Sequence, residues 1–144
     1  MSKIIGVIYP ILPRFVKRIF DDNRSVFVKY VAHPNYLRTG VRKILFYESQ
    51  GNKEIVGEAR IKTNEFLTPL EALQKYLNKI FLDKDELMEY ASSRPSRTLS
   101  RKMLVLVLTK PVKYSKGIKY EKPITMAGKY LTEEDYDLLM LQNK

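Results

Sequence analysis

Apolar positions change their period several times along this chain, and each change marks an element. Lys3 to Tyr9 (KIIGVIY) is β-branched and apolar on both faces, which predicts a central strand. Pro10 and Pro13 bracket a turn, and Pro13 suits the first position of a helix. The segment after it pairs Phe15 with Ile19 and Val16 with Phe20 at four-residue spacing and leaves Arg14, Lys17 and Arg18 toward water. Asp21-Asp22-Asn23 ends that helix, and Ser25 to Val31 reads as the next strand. Alternation puts Ser25, Phe27 and Lys29 on one face of it and Val26, Val28 and Tyr30 on the other. His33-Pro34-Asn35 then starts a loop that closes at Arg38-Thr39-Gly40, with His33 as a turn residue.

Two strands follow, Arg42 to Ser49 and Lys53 to Glu65, joined by a hairpin turn at Gln50-Gly51-Asn52. Thr68-Pro69-Leu70-Glu71 starts a helix: a Thr cap, Pro at the first position and Glu three residues after the cap. Asp83-Lys84-Asp85-Glu86 repeats that logic for another helix, with Leu87 and Tyr90 inward. Arg94 to Ser100 reads as a loop, and Lys102 to Leu108 (KMLVLVL) as a further central strand. A basic connector from Lys110 to Lys122 leads to Pro123-Ile124, and Thr132-Glu133-Glu134-Asp135 opens a C-terminal helix with its acids at the favourable end of the dipole. The leucines, Met103 and Met140 are assigned to the core. This order favours an α+β fold: a mixed, mostly antiparallel sheet or partly open barrel flanked by helices. Residues 1–144 form one domain, with no repeat and no linker.

Composition narrows the chemistry. A chain of 144 residues, 44% of them hydrophobic, can bury a core without staples. The absence of cysteine removes disulfides and thiolate zinc sites, and a single histidine argues against a His-rich metal centre or a Ser-His-Asp triad. No cofactor or metal is expected. No apolar run reaches the roughly 20 residues that span a bilayer, and the start lacks a signal-peptide pattern, so a cytoplasmic protein without membrane contact is expected. Twenty-six Lys and Arg against sixteen Asp and Glu leave a net charge of +10, with a pI near 9.7. Heat resistance explains many charges of both signs, but not the excess, which points to a polyanionic partner, nucleic acid first.

Four constellations carry candidate chemistry. Arg24 and Ser25 with Phe27 and Lys29 set cations, a hydroxyl and a ring on or beside one strand face, a pattern suited to phosphate contact, stacking and hydrogen bonding; a solvated polar face is the plain alternative. Val56-Gly57-Glu58-Ala59-Arg60 places a glycine inside a strand, which signals a bulge or a close approach. Glu58 there is either half of a cross-strand ion pair or, beside Lys29, a proton acceptor. Arg94, Arg97, Arg101 and Lys102 put four cations in nine residues with no acid between them, as a phosphate-contacting loop would. Lys110, Lys113, Lys116, Lys119 and Lys122, interleaved with Tyr114 and Tyr120, form a less specific electrostatic candidate. Gly128-Lys129-Tyr130 precedes the last helix, whose amides could receive an anion with Lys129 assisting, although the acids at Glu133, Glu134, Asp135 and Asp137 compete.

Gly6-Val7-Ile8-Tyr9-Pro10, Ser25-Val26-Phe27-Val28-Lys29, Val56-Gly57-Glu58-Ala59 and Gly128-Lys129-Tyr130-Leu131-Thr132 together resemble an archaeal family of uncharacterised small proteins in the PUA-like superfamily, alongside PUA, ASCH and EVE domains. The resemblance covers nearly the whole chain. It implies a pseudo-barrel with a helix between the first two strands, and RNA or modified bases as ligands. Some ASCH-type amidohydrolases use a Lys-Thr pair after the first helix and a Glu on a later strand. Arg24-Ser25 occupies the place of that pair here and Glu58 that of the carboxylate. Arginine does not readily give up its proton, so this departure argues against the same base chemistry. The expectation is therefore an RNA-binding module that takes a base or nucleotide in a pocket lined by Ser25, Phe27, Lys29 and Glu58, with Arg97, Arg101 and Lys102 on the backbone. The rival is a small hydrolase of modified nucleosides using Lys29, Glu58 and Ser25.

Overall fold

The computed structural model describes residues 3–31, 40–50, 52–93, 99–120, 122, 124–125 and 127–142. His33, Arg94 and Arg97 lie outside the described residues. The elements run β1 (Ile4–Ile11), α1 (Pro13–Asp21), β2 (Val26–Lys29), β3 (Lys43–Glu48), β4 (Glu54–Leu67), α2 (Pro69–Tyr76), α3 (Lys84–Ser92), β5 (Met103–Lys119), β6 (Lys129–Thr132) and α4 (Glu133–Gln142). Six strands form one sheet in the order β2-β5-β4-β3-β1-β6. Only the β1–β3 pair is parallel; the other ladders are antiparallel. The expected α+β architecture stands: the sheet is mixed, mostly antiparallel, curled and not closed.

Local chemistry accounts for the helix starts. Pro13 sits in the first turn of α1, as its fixed φ favours. At α2 the Thr68 hydroxyl accepts from the Glu71 N–H while the Glu71 carboxylate accepts from the Thr68 N–H. Asp83 and Glu86 make the equivalent box at α3. Such caps each contribute about 1 kcal/mol.

Two apolar layers cover the sheet. Val7, Tyr9 and Ile11 of β1 and Ile44 and Phe46 of β3 belong to the larger cluster, while the alternate residues Ile8, Leu45 and Tyr47 belong to a second cluster on the other face, under α4. The larger layer proves that the sheet curls. β1 and β2 are four inter-strand steps apart, roughly 19 Å if the sheet were flat. Yet the Tyr9 ring of β1 stacks on the Phe27 ring of β2 with centroids 5.5 Å apart. The free edge of β2 is covered in turn: the Val26 N–H donates to Lys79 O, and Val26 O accepts from the Phe81 N–H.

Two sequence expectations are corrected. The basic connector is no connector, because β5 continues through it to Lys119, paired with β4 across several bulges. The bulges shift the register without ending the ladder, and Tyr114 and Ile118 of this stretch are buried in the second cluster. Lys129 and Tyr130 precede the last helix as expected, and they form β6, paired with Ile8 and Val7. Not every leucine is core, since Leu138 and Leu141 on α4 are exposed. The strand glycine reports packing. A Cβ on Gly57 would lie 2.7 Å from Val112 O and run into the Phe20 ring of α1. Gly57→Ala is therefore expected to lower unfolding free energy by about 1–3 kcal/mol, read as a reduced urea midpoint at unchanged m-value.

Candidate functional site

The short strand β2 is buried on both faces, so the predicted polar face does not meet bulk water. Lys29 is 7% exposed and its ammonium lies 5.4 Å from the Tyr9 ring centroid. With Phe27 it lines a cavity of about 430 Å³, within the size range of small-molecule sites. The walls come from separate parts of the chain: Ile11 at the end of β1, Phe15 of α1, Phe81 before α3 and Tyr90 of α3. Arg14, Ser49, Gln50, Glu89 and Ser93 supply further polar groups. Phe27 stacks against both Tyr9, at 5.5 Å, and Phe81, at 5.1 Å. Its faces are spent on those neighbours, so it shapes the floor and does not itself stack a ligand. Phe81 also meets Phe15 edge-on at 5.4 Å.

An ionic seam holds this wall in place. Arg18 of α1 forms an ion pair with Glu86 of α3 and donates to Phe81 O at 3.1 Å. Hydrogen bonding from Arg18 lowers the Glu86 carboxyl below the ordinary range. Arg24 is part of the same seam: it donates to Ile80 O at 3.0 Å and pairs with Asp83 at 3.3 Å. Ser25 is half-buried beside it, and its carbonyl accepts from the Leu108 N–H. Burial, with a contribution from Tyr130, raises the Tyr9 hydroxyl to about 12, so it stays protonated at neutral pH.

Glu58 is elsewhere. It faces the second cluster, away from the cavity that Lys29 lines, and the two are not brought together. Its Oε1 accepts from Tyr114 at 2.8 Å and Tyr136 at 2.6 Å, and its Oε2 from Lys43 Nζ at 2.9 Å. Lys43 Nζ also donates to the Tyr136 hydroxyl at 3.0 Å and lies over that ring. Burial would raise the Glu58 carboxyl, but the hydrogen bonds from Tyr136, Lys43 and Tyr114 outweigh it and leave the group below the usual range. Burial and the neighbouring Glu58 push the Tyr114 hydroxyl strongly upward. A carboxylate this well satisfied joins β3, β4, β5 and α4; it is a poor proton acceptor.

The remaining candidates scatter. Arg101 donates to Val31 O at 2.6 Å and stands over the Tyr30 ring. Lys102 is exposed and feels Glu71 at the start of α2. Lys129 lies over Tyr120, and Tyr130 is partly exposed, both on the edge strand β6. Two of the first α4 amides are engaged within the protein: the Glu133 N–H donates to Lys3 O and the Asp135 N–H to the Thr132 hydroxyl. Sequence reasoning missed Phe15, Phe81 and Tyr90 as cavity walls, Tyr9 as the ring stacked behind Phe27, and Lys43 and Tyr136 as partners of Glu58. Counting outward from the hairpin turn would put Ile44 opposite Glu58 and Lys43 on the other face; a bulge beside Phe46 shifts the register so that Leu45 pairs with Glu58 and Lys43, two residues on, shares its face. Among the described residues no group of His, Cys, Asp or Glu is arranged to hold a metal ion, and no helix is long and apolar enough to cross a membrane.

Residues 4–133 match the family described as a domain of unknown function, DUF365. The chain belongs to this family. A DUF365 chain with this geometry has relatives of two kinds. One is an uncharacterized protein, MJECS03, of Methanocaldococcus jannaschii, 31% identical over 104 residues, which span 68% of this chain and 96% of that protein. The others are similar in fold. The ASCH protein from Zymomonas mobilis superposes with a TM-score of 0.76 at 14% identity over 94% of both chains. A serine-to-alanine variant of it gives 0.78 at 15% identity over 98% of both. The N-terminal domain of Staphylothermus marinus McrB gives 0.61 at 16% identity, covering 99% of this chain and 98% of that one. The fold of this chain is thus ASCH-like.

Removing the Glu58 carboxylate would strand the Lys43 ammonium, so Glu58→Ala should cost about 3–5 kcal/mol in urea unfolding. The acid response has a definite sign. The folded-state value is depressed, so ionised Glu58 stabilises the protein above its unfolded value of ~4.3, and that contribution is lost as pH falls through the lower folded value. Urea melts from pH 7 to 3 should show a shallower acid loss in Glu58→Gln than in the wild type.

Proposed function

We propose that this protein is a nucleic-acid-binding module that takes a base of RNA into the cavity beside Lys29 and carries the backbone on nearby cations. The single observation behind this reading is the cavity itself: aromatic and aliphatic walls of base-accepting size, with the buried Lys29 and the exposed Arg14 among its lining residues. Arg14 and Lys17 are both exposed on α1, on the same side of the helix at three-residue spacing. Arg101 stands beyond β2, beside Tyr30, whose ring contacts Tyr90 of the cavity wall. The net charge of +10 supplies the long-range attraction. The ASCH-like fold is compatible with this reading. Ser25 and Arg24 act here by fixing the α1–β2 joint, and Phe27 by shaping the floor. Arg94, Arg97, Lys102, Lys129 and Tyr130 serve as further backbone contacts in the same scheme.

The hydrolase alternative loses its support, because it needed Lys29 and Glu58 around one substrate and they line different parts of the molecule.

Fluorescence-anisotropy titration of short single-stranded RNAs tests the reading. Engaging three to five phosphates should give a slope of log affinity against log salt of about −2 to −3.5. Arg14→Ala should weaken every RNA to a similar extent, whereas Lys29→Ala should weaken some sequences much more than others. A flat salt response, or no binding at low salt, overturns the proposal.

A further inference from the structure

The lysine-rich half of β5 takes no part in the cavity, which no residue of β4 or β5 lines. β2 pairs with β5 only from Leu104 to Val107, so beyond Leu108 the outer edge of β5 carries no strand among the described residues. Lys110, Lys113, Lys116 and Lys119 are all exposed along that edge. Their three-residue spacing sets neighbours at most about 10 Å apart. Arg60 and Lys62 of β4 are exposed where this stretch begins, with Arg60 paired to Thr109. The six cations form one stripe.

Few acids answer them. The Glu58 carboxylate, two residues before Arg60, is taken up by Lys43, Tyr114 and Tyr136. Lys113 acts on Glu48, whose carboxyl burial raises, and Lys119 is opposite Glu54. Arg60, Lys62, Lys110 and Lys116 make no ion pair among the described residues. Lys110 also adopts a φ of 51°, the left-handed region that favours glycine. It does so in a bulge where Lys110 and Pro111 together oppose Ala59. Strained residues of this kind cluster at binding sites. Lysine and proline on an edge also deter pairing with another sheet. That role does not account for Arg60, whose strand is paired on both sides.

What the stripe lacks identifies the partner. Proteins that hold single strands combine cations with exposed rings on which unstacked bases lie. Here the aromatic side chain among the lysines, Tyr114, is buried with its hydroxyl on Glu58. Cations without rings contact phosphates and not bases. A double helix presents phosphates most densely, one charge per about 1.7 Å of axis, with its bases already stacked.

We infer that the outer edge of β5, with Arg60 and Lys62, is a second nucleic-acid surface that grips the backbone of a double helix without regard to sequence. It goes beyond the base-in-cavity reading and does not rest on it. Anisotropy titrations of the intact protein with short mixed-sequence RNA and DNA duplexes, and with the matching single strands, test it. The RNA and DNA arms show which helix the surface takes. Neutralising four phosphates should give a slope of log affinity against log salt of about −3.6 or steeper. Replacing Arg60, Lys62, Lys110 and Lys116 together by glutamine should weaken duplex binding roughly tenfold or more and flatten that slope by about 3. Glutamine at Lys3, Lys53, Lys79 and Lys84 removes the same charge from exposed sites elsewhere, and should weaken it less than about threefold, since distant charges are screened.

Equal losses in the two variants overturn the inference, as does the absence of duplex binding at low salt. So does a loss in the first variant confined to single strands or to phosphatidylserine vesicles. Duplex binding can fail while single-stranded RNA still responds to Arg14→Ala, and the cavity reading then stands alone. Should the fourfold variant aggregate on gel filtration for want of edge protection, Arg60→Gln carries the test. It should reduce the duplex slope by about 0.9, and an unchanged slope overturns the inference.

Discussion

Three parallel rings hold this fold in its working shape. Tyr9 from β1, Phe27 from β2 and Phe81 from the segment before α3 stack in sequence, although their strands are far apart in the sheet order. Burying an aromatic side chain contributes about 1.5–3 kcal/mol, and parallel stacking adds about 0.5–1.5 kcal/mol for each pair. The stack therefore favours the curl that brings β1 over β2. Without the curl there would be no chamber between α1, α3 and the sheet, and Lys29 would be a surface lysine.

The same arrangement explains why two polar groups that look alike in the chain behave differently. Lys29 and Lys43 are both strand lysines next to tyrosine rings. Lys43 meets a carboxylate and a hydroxyl, which complete a closed network under α4. Lys29 instead lines the cavity beside Phe27, on the opposite side of the sheet from that network.

The ionic seam between α1 and α3 has a comparable effect at the wall. Arg18 and Arg24 use charge that would otherwise attract RNA to anchor Glu86, Asp83 and the backbone of residues 80 and 81. A net positive charge thus overstates how many cations are free to serve a partner. The cations that remain on the surface, such as Arg14 and Lys17, are those whose helix face packs against nothing.

By itself the sequence determined what depends on neighbours in the chain. The period of apolar residues specified β1, α1, the β3–β4 hairpin and the starts of α2 and α3, because alternation and capping act over two to four positions. It identified β2 as the strand that bears Phe27 and Lys29. Tertiary structure decided the rest. Whether Phe27 would stack a ligand or a core ring depended on Tyr9 and Phe81, which are 18 residues before it and 54 after it, so no local pattern records the choice. Glu58 and Lys29 were separated by the alternation of faces combined with the curl, since side-chain direction within one strand says nothing about which strand will lie across from it. The lysine-rich stretch after Leu108 became strand because β4 was long enough to pair with it, a property of the partner and not of the stretch.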